Sequence, residues 1–214
     1  MTKGVLLISG MAVLAVAWLG PLPHLAQHSF AAHMGLHLVL IAIAAPLLAL
    51  GLSGSRIEHT LNSAGLLNPI LASVAEFVLV WSWHVPALHG LARNLPAAFV
   101  FEQATFLGIG VLLWLSAVGT AGEVRRAFMG VVALLFTSMH MTLLGALLAL
   151  ASRPLYAHHH GADPFGLTAL QEQQIGGMLM LGVGGLVYLC GGLFLVARML
   201  RPTPATLDCT VPHR

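Results

Sequence analysis

Long runs of uncharged apolar residues, each about as long as a membrane is thick, constrain this chain more than any other feature. A helix needs about 20 apolar residues to cross about 30 Å of hydrocarbon. Charged residues make up only 7% of the 214 positions, whereas a soluble domain carries about 25%. Only helices and closed barrels satisfy their backbone hydrogen bonds inside lipid, and continuous rather than alternating runs favour helices. The sequence therefore predicts an all-α, polytopic membrane helix bundle.

Six such runs predict six transmembrane helices. They cover residues 4–22, 30–52, 69–90, 97–119, 127–151 and 175–198. Thr168 followed by Gln171 is a capping-box pattern, which predicts that the last helix begins before its membrane span. We expect residues 1–200 to form a single transmembrane helical domain and residues 201–214 to form a short cytoplasmic tail.

The distribution of positive charge predicts the orientation of the bundle. Seven Lys and Arg residues lie in segments on one side of the six spans, against Arg93 and Arg153 on the other. Because cytoplasmic loops carry the excess of positive charge, both termini are predicted to be cytoplasmic. The net charge of +2 and the lack of a basic stripe exclude nucleic acid as a partner, which leaves the lipid bilayer as the surroundings.

Histidine is unusually frequent and is concentrated on one side. Nine of the 12 histidines lie on or just beneath the predicted outer face, His140 lies mid-span, and only His59 and His213 are cytoplasmic. His33 and His37 are spaced i, i+4, which places both rings on one helix face as in a two-histidine metal clamp. The two cysteines form no C-x-x-C pair, which excludes a cysteine-pair metal shuttle. Imidazole and thioether ligands on the oxidising side of a membrane favour copper, as Cu(I).

Several short motifs are spread in order from about residue 28 to residue 181. They lie at residues 33–38 (HMGLHL), 45–51 (APLLALG), 83–86 (WHVP), 101–107 with Trp114, 154–156 (PLY) and 172–180 (EQQIGGMLM). Together they resemble the signature of the CtaG family of cytochrome c oxidase assembly factors, with Gln103 where the family pattern has histidine and Glu172 where it has aspartate.

The resemblance implies a multi-pass protein of the bacterial cytoplasmic (inner) membrane that helps to mature a heme–copper oxidase. The implied partners are cytochrome c oxidase subunits and a periplasmic copper donor, with the metal site facing the periplasm. Copper would be passed on by ligand exchange, which needs no covalent chemistry, so the chain is predicted to be a metal-binding assembly factor or chaperone and not an enzyme.

We predict a copper site in the outer half of the bundle, and the sequence leaves open whether the outer histidines form one site or two. Its predicted ligands are His33, His37, His84, His140, Met139 and Met141. The residues predicted to hydrogen-bond the ligands or balance the charge of the ion are Glu102, Tyr156, Glu172, Gln173 and Met178. The residues predicted to form an access path for the metal are His24, His28, His158, His159 and His160. His89, near a helix end, is interpreted as an interfacial residue.

Three other functions fit the same residues. A membrane b-type cytochrome would ligate heme with histidines from facing helices. An intramembrane zinc hydrolase would bind zinc through His33 and His37, with Glu102 as its general base. A metal-independent structural subunit would need neither histidine. Glu76 lies apart from the outer layer and is predicted to hydrogen-bond a neighbouring helix, with a proton-linked role as the alternative.

Overall fold

The structure, a computed structural model, describes residues 2–119, 124–156 and 165–200, and within these ranges it contains helices and no strand. The α-helices are α1 (Lys3–Leu19), α2 (Leu22–His28), α3 (Phe30–Leu38), α4 (Ala45–Leu52), α5 (Arg56–Ser63), α6 (Pro69–Trp83), α7 (Pro86–Asn94), α8 (Pro96–Val118), α9 (Val124–Ala149), α10 (Ala169–Leu179) and α11 (Gly185–Met199). Two π-helical segments, Val39–Ala44 and Met180–Gly184, join α3 to α4 and α10 to α11. The predicted all-α class is confirmed.

Four helical stretches are long and apolar enough to cross a membrane, and the number rises to as many as six if each of two bent helix pairs is one span. The continuous stretches are Phe30–Leu52, Pro96–Val118, Arg125–Ala149 and Ala169–Met199. The bent pairs are α1 with α2, at 52°, and α6 with α7, at 74°. The chain is therefore a multi-pass membrane protein. Its single-domain organisation and its orientation in the membrane stay predictions, and the predicted tail at residues 201–214 lies outside the described residues.

The sharpest bend interrupts the predicted span at residues 69–90, which we expected to be one helix. Val85 has extended backbone (φ −67°, ψ 132°), because the proline that follows it disfavours the helical conformation. The helix α6 therefore ends at Trp83, and Pro86 starts α7 in a new direction. As a result, the side chain of His89 turns towards the interior and is only 2% exposed.

The helix α10 begins before its membrane span, as the capping-box pattern predicts. The Thr168 hydroxyl accepts the Gln171 N–H, and the Gln171 side chain accepts the Thr168 N–H. Two glycines then allow close packing on both sides of α10. A Cβ atom on Gly176 would lie 2.7 Å from the Phe30 ring of α3, and one on Gly177 would lie 2.5 Å from the backbone of α9. This packing holds α3, α9 and α10 together around the polar interior.

Candidate metal centre

His33 and His37 of α3 and Glu102 of α8 form a cluster of ligand atoms in the interior. One ligand atom from each of the three residues lies within 4.8 Å of the other two. His33 Nε2 is 3.1 Å from Glu102 Oε2, and His37 Nε2 is 3.6 Å from Glu102 Oε1. The two ring centroids are 4.4 Å apart, since residues spaced i, i+4 share a helix face. All three side chains are buried.

Gln103 determines which ring nitrogen of His37 carries a proton. Its Nε2 donates to Glu102 Oε2 at 3.1 Å, and this bond orients the amide so that its Oε1 faces His37 Nδ1 at 3.2 Å. Because the amide oxygen only accepts, His37 Nδ1 must donate, and the neutral ring then has its lone pair on Nε2. Gln103 was not among our predicted site residues, although its position next to Glu102 in α8 points to it.

The unpaired nitrogens of the cluster suit a cation. His37 Nε2 and His33 Nδ1 have no hydrogen-bond partner within the described part of the chain. The lone pair of His37 Nε2 instead faces a Glu102 oxygen, which is also an acceptor. Two buried acceptors in this arrangement cost free energy unless a proton or a metal ion lies between them. Two imidazoles and a carboxylate are common ligands of transition metals.

His84, the third predicted ligand, lies beside the cluster at the C-terminal end of α6. Its ring centroid is 6.1 Å from that of His37. The Tyr156 hydroxyl donates to the His84 backbone carbonyl at 2.9 Å, and the Tyr156 ring stacks on Phe30 at 4.7 Å. Burial raises the pKa of Tyr156, so the phenol keeps its proton and stays a donor. The structure thus places Tyr156 where it holds the end of α6 rather than in contact with the cluster.

Glu172 and Gln173 accept hydrogen bonds from backbone groups and not from the rings of the cluster. Glu172 Oε2 accepts the Ser29 hydroxyl at 2.6 Å and the Ala31 N–H at 2.8 Å, both at the N-terminus of α3. Gln173 Oε1 accepts the Leu155 N–H at 2.7 Å. We expected Glu172 to hydrogen-bond a ligand histidine or to balance the charge of the ion. Its Oε2 contacts a hydroxyl group and a backbone N–H rather than a ring nitrogen, and its role in charge balance stays a prediction. Through these contacts Glu172 positions the helix that carries His33 and His37.

The structure does not bring the predicted ligands of α9 to the cluster. The His140 ring lies between Phe77 and Phe136, with centroid separations of 5.3 and 5.5 Å. Met139 is 60% exposed, whereas Met141 is fully buried. Consecutive residues of a helix point about 100° apart, so three in a row cannot face one site. Met178, expected to support the ligands, is also exposed on the surface of α10.

The predicted access path is only partly visible. His24 and His28 of α2 are exposed, with ring centroids 4.7 Å apart, and His28 Nδ1 lies 2.9 Å from the His24 carbonyl. His158, His159 and His160 lie outside the described residues. In contrast, His89 is close to the cluster, and its ring centroid is 4.9 Å from that of His33. The signal for its inward position is Pro86, which bends the chain between His84 and His89.

Residues 2–202 match the sequence profile of one protein family, described as cytochrome c oxidase caa3 assembly factor. No curated protein and no solved structure matches the chain. The family match covers nearly the whole sequence, including every helix described above. The chain belongs to the Caa3_CtaG family of cytochrome c oxidase caa3 assembly factors.

Proposed function

We propose that this chain binds a copper ion through His33, His37 and Glu102 and passes it to the oxidase that its family helps to assemble. The observation that supports the proposal best is the unpaired lone pair of His37 Nε2, which faces a Glu102 oxygen at 3.6 Å. The partner would be a cytochrome c oxidase subunit. By the positive-inside rule, the site would open to the periplasmic side of the bacterial inner membrane.

Copper is the ion that agrees best with both the ligands of the cluster and the function of the family. Imidazole binds copper, zinc, iron and nickel, so the three ligands alone do not select among them. A heme–copper oxidase, however, needs copper for its assembly. The carboxylate of Glu102 would balance one positive charge, which lowers the cost of burying an ion in an apolar bundle.

Transfer would proceed by ligand exchange. The ion would leave the cluster as nitrogen or oxygen ligands of the receiving subunit replace His33, His37 and Glu102 one after another, with no change in oxidation state. No covalent bond of the protein is made or broken, so the chain acts as a chaperone and not as an enzyme. Gln103 would keep the Nε2 lone pair of His37 directed at the ion throughout.

The space around the histidines disfavours heme as the ligand. A cavity of about 10 Å³ lies between His37 and His84, which is about enough for the centre of one water molecule. A heme with axial ligands from these two rings would need the surrounding helices to separate. A single metal ion needs no such rearrangement.

The test is the copper content of the full-length protein purified in detergent. The double variant His33→Ala/His37→Ala should lose its bound copper, because both imidazole ligands are removed. The control is His59→Ala, which removes an exposed histidine of α5 that is neither a predicted ligand nor part of the predicted access path and should keep the copper content of the wild type. Equal copper in the wild type and in His33→Ala/His37→Ala would overturn the proposal.

A further inference from the structure

We infer that Met34, His84 and Met180 form a second metal subsite, specific for Cu(I), directly beside the cluster of His33, His37 and Glu102. The inference rests on the proposed copper function and extends it to a pair of adjoining subsites. Neither methionine was among the predicted ligands. Four observations support the second subsite: a nitrogen–sulfur contact, a small cavity, its apolar lining and the helical geometry at its wall.

The nitrogen–sulfur contact joins α6 to α3. His84 Nδ1 lies 2.7 Å from the Val80 carbonyl oxygen, which can only accept, so Nδ1 carries the proton. His84 Nε2 then has a lone pair, and it lies 3.4 Å from Met34 Sδ. A thioether sulfur has no hydrogen to donate. Two lone-pair atoms therefore face each other in the interior, the same arrangement as His37 and Glu102, and a soft cation is the group that satisfies both.

A second methionine, Met180, lines the cavity at the same place. Met34, His37, His84 and Met180 line a cavity of about 10 Å³. Met34 and Met180 are 2% and 3% exposed, so neither thioether is accessible to lipid. The remaining lining residues, all apolar, are Leu38, Ile41, Val80 and Phe106.

The lining chemistry selects a soft ion of low charge. The side chains that line the cavity offer nitrogen and sulfur ligands but no oxygen ligand. Thioether sulfur favours Cu(I) over harder cations. A dication would be poorly compensated there, because the lining includes no carboxylate. The cluster with Glu102 differs, since its carboxylate and imidazoles also accept harder ions.

The wall of the cavity is built from irregular helix. Met180 is the first residue of one π-helical segment, and Ile41 lies in the other. The segment Met180–Gly184 lies against the end of α3, because a Cβ atom on Gly184 would lie 3.2 Å from Leu38, the last residue of α3 before the other segment begins. π-Helical turns are rare and occur frequently at functional sites. Here they widen two neighbouring helices where both contribute to one cavity.

His37 connects the two subsites. Its Nε2 faces Glu102, and its ring also lines the cavity with Met34 and His84. A Cu(I) ion held by His33, His37 and Glu102 can form bonds to His84 Nε2 and the thioethers while its bonds to Glu102 and His33 break. The ion stays Cu(I), the ligands exchange as electron pairs, and no reductant is required. The metal would thus move within the protein between a mixed oxygen–nitrogen site and a sulfur–nitrogen site.

The test is X-ray absorption spectroscopy of the detergent-purified, full-length protein loaded with Cu(I) under anaerobic conditions, together with a competition titration against a chromogenic Cu(I) chelator. The wild type should show sulfur in the first coordination shell of copper. The variant Met34→Leu/Met180→Leu should lose this sulfur signal and bind Cu(I) at least about tenfold more weakly. Loss of a group that only hydrogen-bonds a metal ligand already lowers metal affinity by about tenfold or more, and loss of the ligand itself should cost at least as much.

The matched control is Met139→Leu/Met178→Leu, which removes two exposed methionines by the same volume-conserving exchange. It should keep both the sulfur signal and the affinity. Wild-type protein that binds Cu(I) without sulfur, or a control that weakens binding as much as Met34→Leu/Met180→Leu, would overturn the second subsite alone. A wild type that binds no copper would overturn the proposed function as well. The spectrum of the wild type decides the matter even if a variant folds poorly.

Discussion

Glu102 and Glu76 are both fully buried glutamates in apolar helices, yet their surroundings give them different chemistry. Glu102 lies against the imidazoles of His33 and His37. Glu76 accepts the Tyr188 hydroxyl at Oε1, at 2.5 Å, and the Thr137 hydroxyl at Oε2, at 3.1 Å. Each oxygen of Glu76 thus has a donor of its own, whereas Glu102 shares its oxygens with rings whose lone pairs remain unpaired.

The comparison shows that a buried carboxylate alone does not identify a metal site. An ionisable side chain inside a membrane span is costly and suggests function by default. Hydroxyl partners satisfy Glu76 and join α6 to α9 and α11, which confirms the prediction that it hydrogen-bonds a neighbouring helix. Imidazole partners leave Glu102 beside a ring nitrogen, His37 Nε2, that has no hydrogen-bond partner within the described residues.

The sharpest test of this difference is to neutralise each glutamate in turn. Glu102→Gln should lower the copper affinity of the protein by about 10- to 100-fold, because the ion loses a charged partner. Glu76→Gln should leave the affinity unchanged, since Glu76 is not in the cluster. Competition titration with a copper chelator measures both values. A similar loss in the two variants would show that burial, and not the imidazole partners, distinguishes the site.

The second prediction concerns stability. Tyr188→Phe removes the donor to Glu76 Oε1 and leaves a buried acceptor unpaired, which should cost about 1–3 kcal/mol in the free energy of unfolding. Copper binding should not change. Unfolding in a graded series of SDS–detergent mixtures measures the first quantity, and copper content measures the second. Copper loss without destabilisation would mean that Glu76 belongs with Glu102 after all.

Most of the helices could be predicted from the sequence because span length and capping are local properties. The bend before Pro86, which divides the span expected at residues 69–90, was missed. The i, i+4 spacing of His33 and His37 likewise needs only the helical period. The faces of α9 could not be predicted, because lipid and protein interior are both apolar and the hydrophobic pattern does not distinguish them. For that reason His140, with Met139 and Met141 on either side, looked like part of the site.

The partners of the cluster depend on long-range packing. Glu102 lies 69 positions from His33 in sequence, and only the register of α8 against α3 decides whether they meet. The orientation of the Gln103 amide follows from Glu102 on one side and His37 on the other, so it cannot be derived from α8 alone. The Met34–His84 contact joins residues 50 positions apart, one on α3 and one at the end of α6. These features are set by tertiary contacts. The sequence motifs identify residues that take part in the contacts but not which residues meet.

The third prediction makes the same Tyr-to-Phe substitution at the other tyrosine of the chain, Tyr156. Tyr156→Phe removes a hydrogen bond to the His84 carbonyl, which should cost about 0.5–1.5 kcal/mol in the free energy of unfolding. This cost is smaller than that of Tyr188→Phe, since the acceptor left without its donor is a neutral backbone carbonyl and not a buried carboxyl group. The same unfolding assay compares the two variants. A larger loss of unfolding free energy in Tyr156→Phe than in Tyr188→Phe would contradict the expectation that the hydrogen bond to Glu76 contributes more to stability.

The smallest effect is expected at Glu172, a third buried glutamate, which lies at a helix N-terminus. Glu172→Gln keeps an oxygen that can accept from Ser29 and Ala31, so only the attraction between the negative charge and the N-terminus of α3 is lost, about 0.3–1 kcal/mol. Glu172→Ala should cost more, because it also leaves the Ala31 N–H without its acceptor. Since Glu172 acts on the cluster through the position of α3, copper affinity should fall less in Glu172→Gln than in Glu102→Gln. If the two variants lose affinity equally, Glu172 contributes charge to the ion itself, and the metal centre extends to the N-terminus of α3.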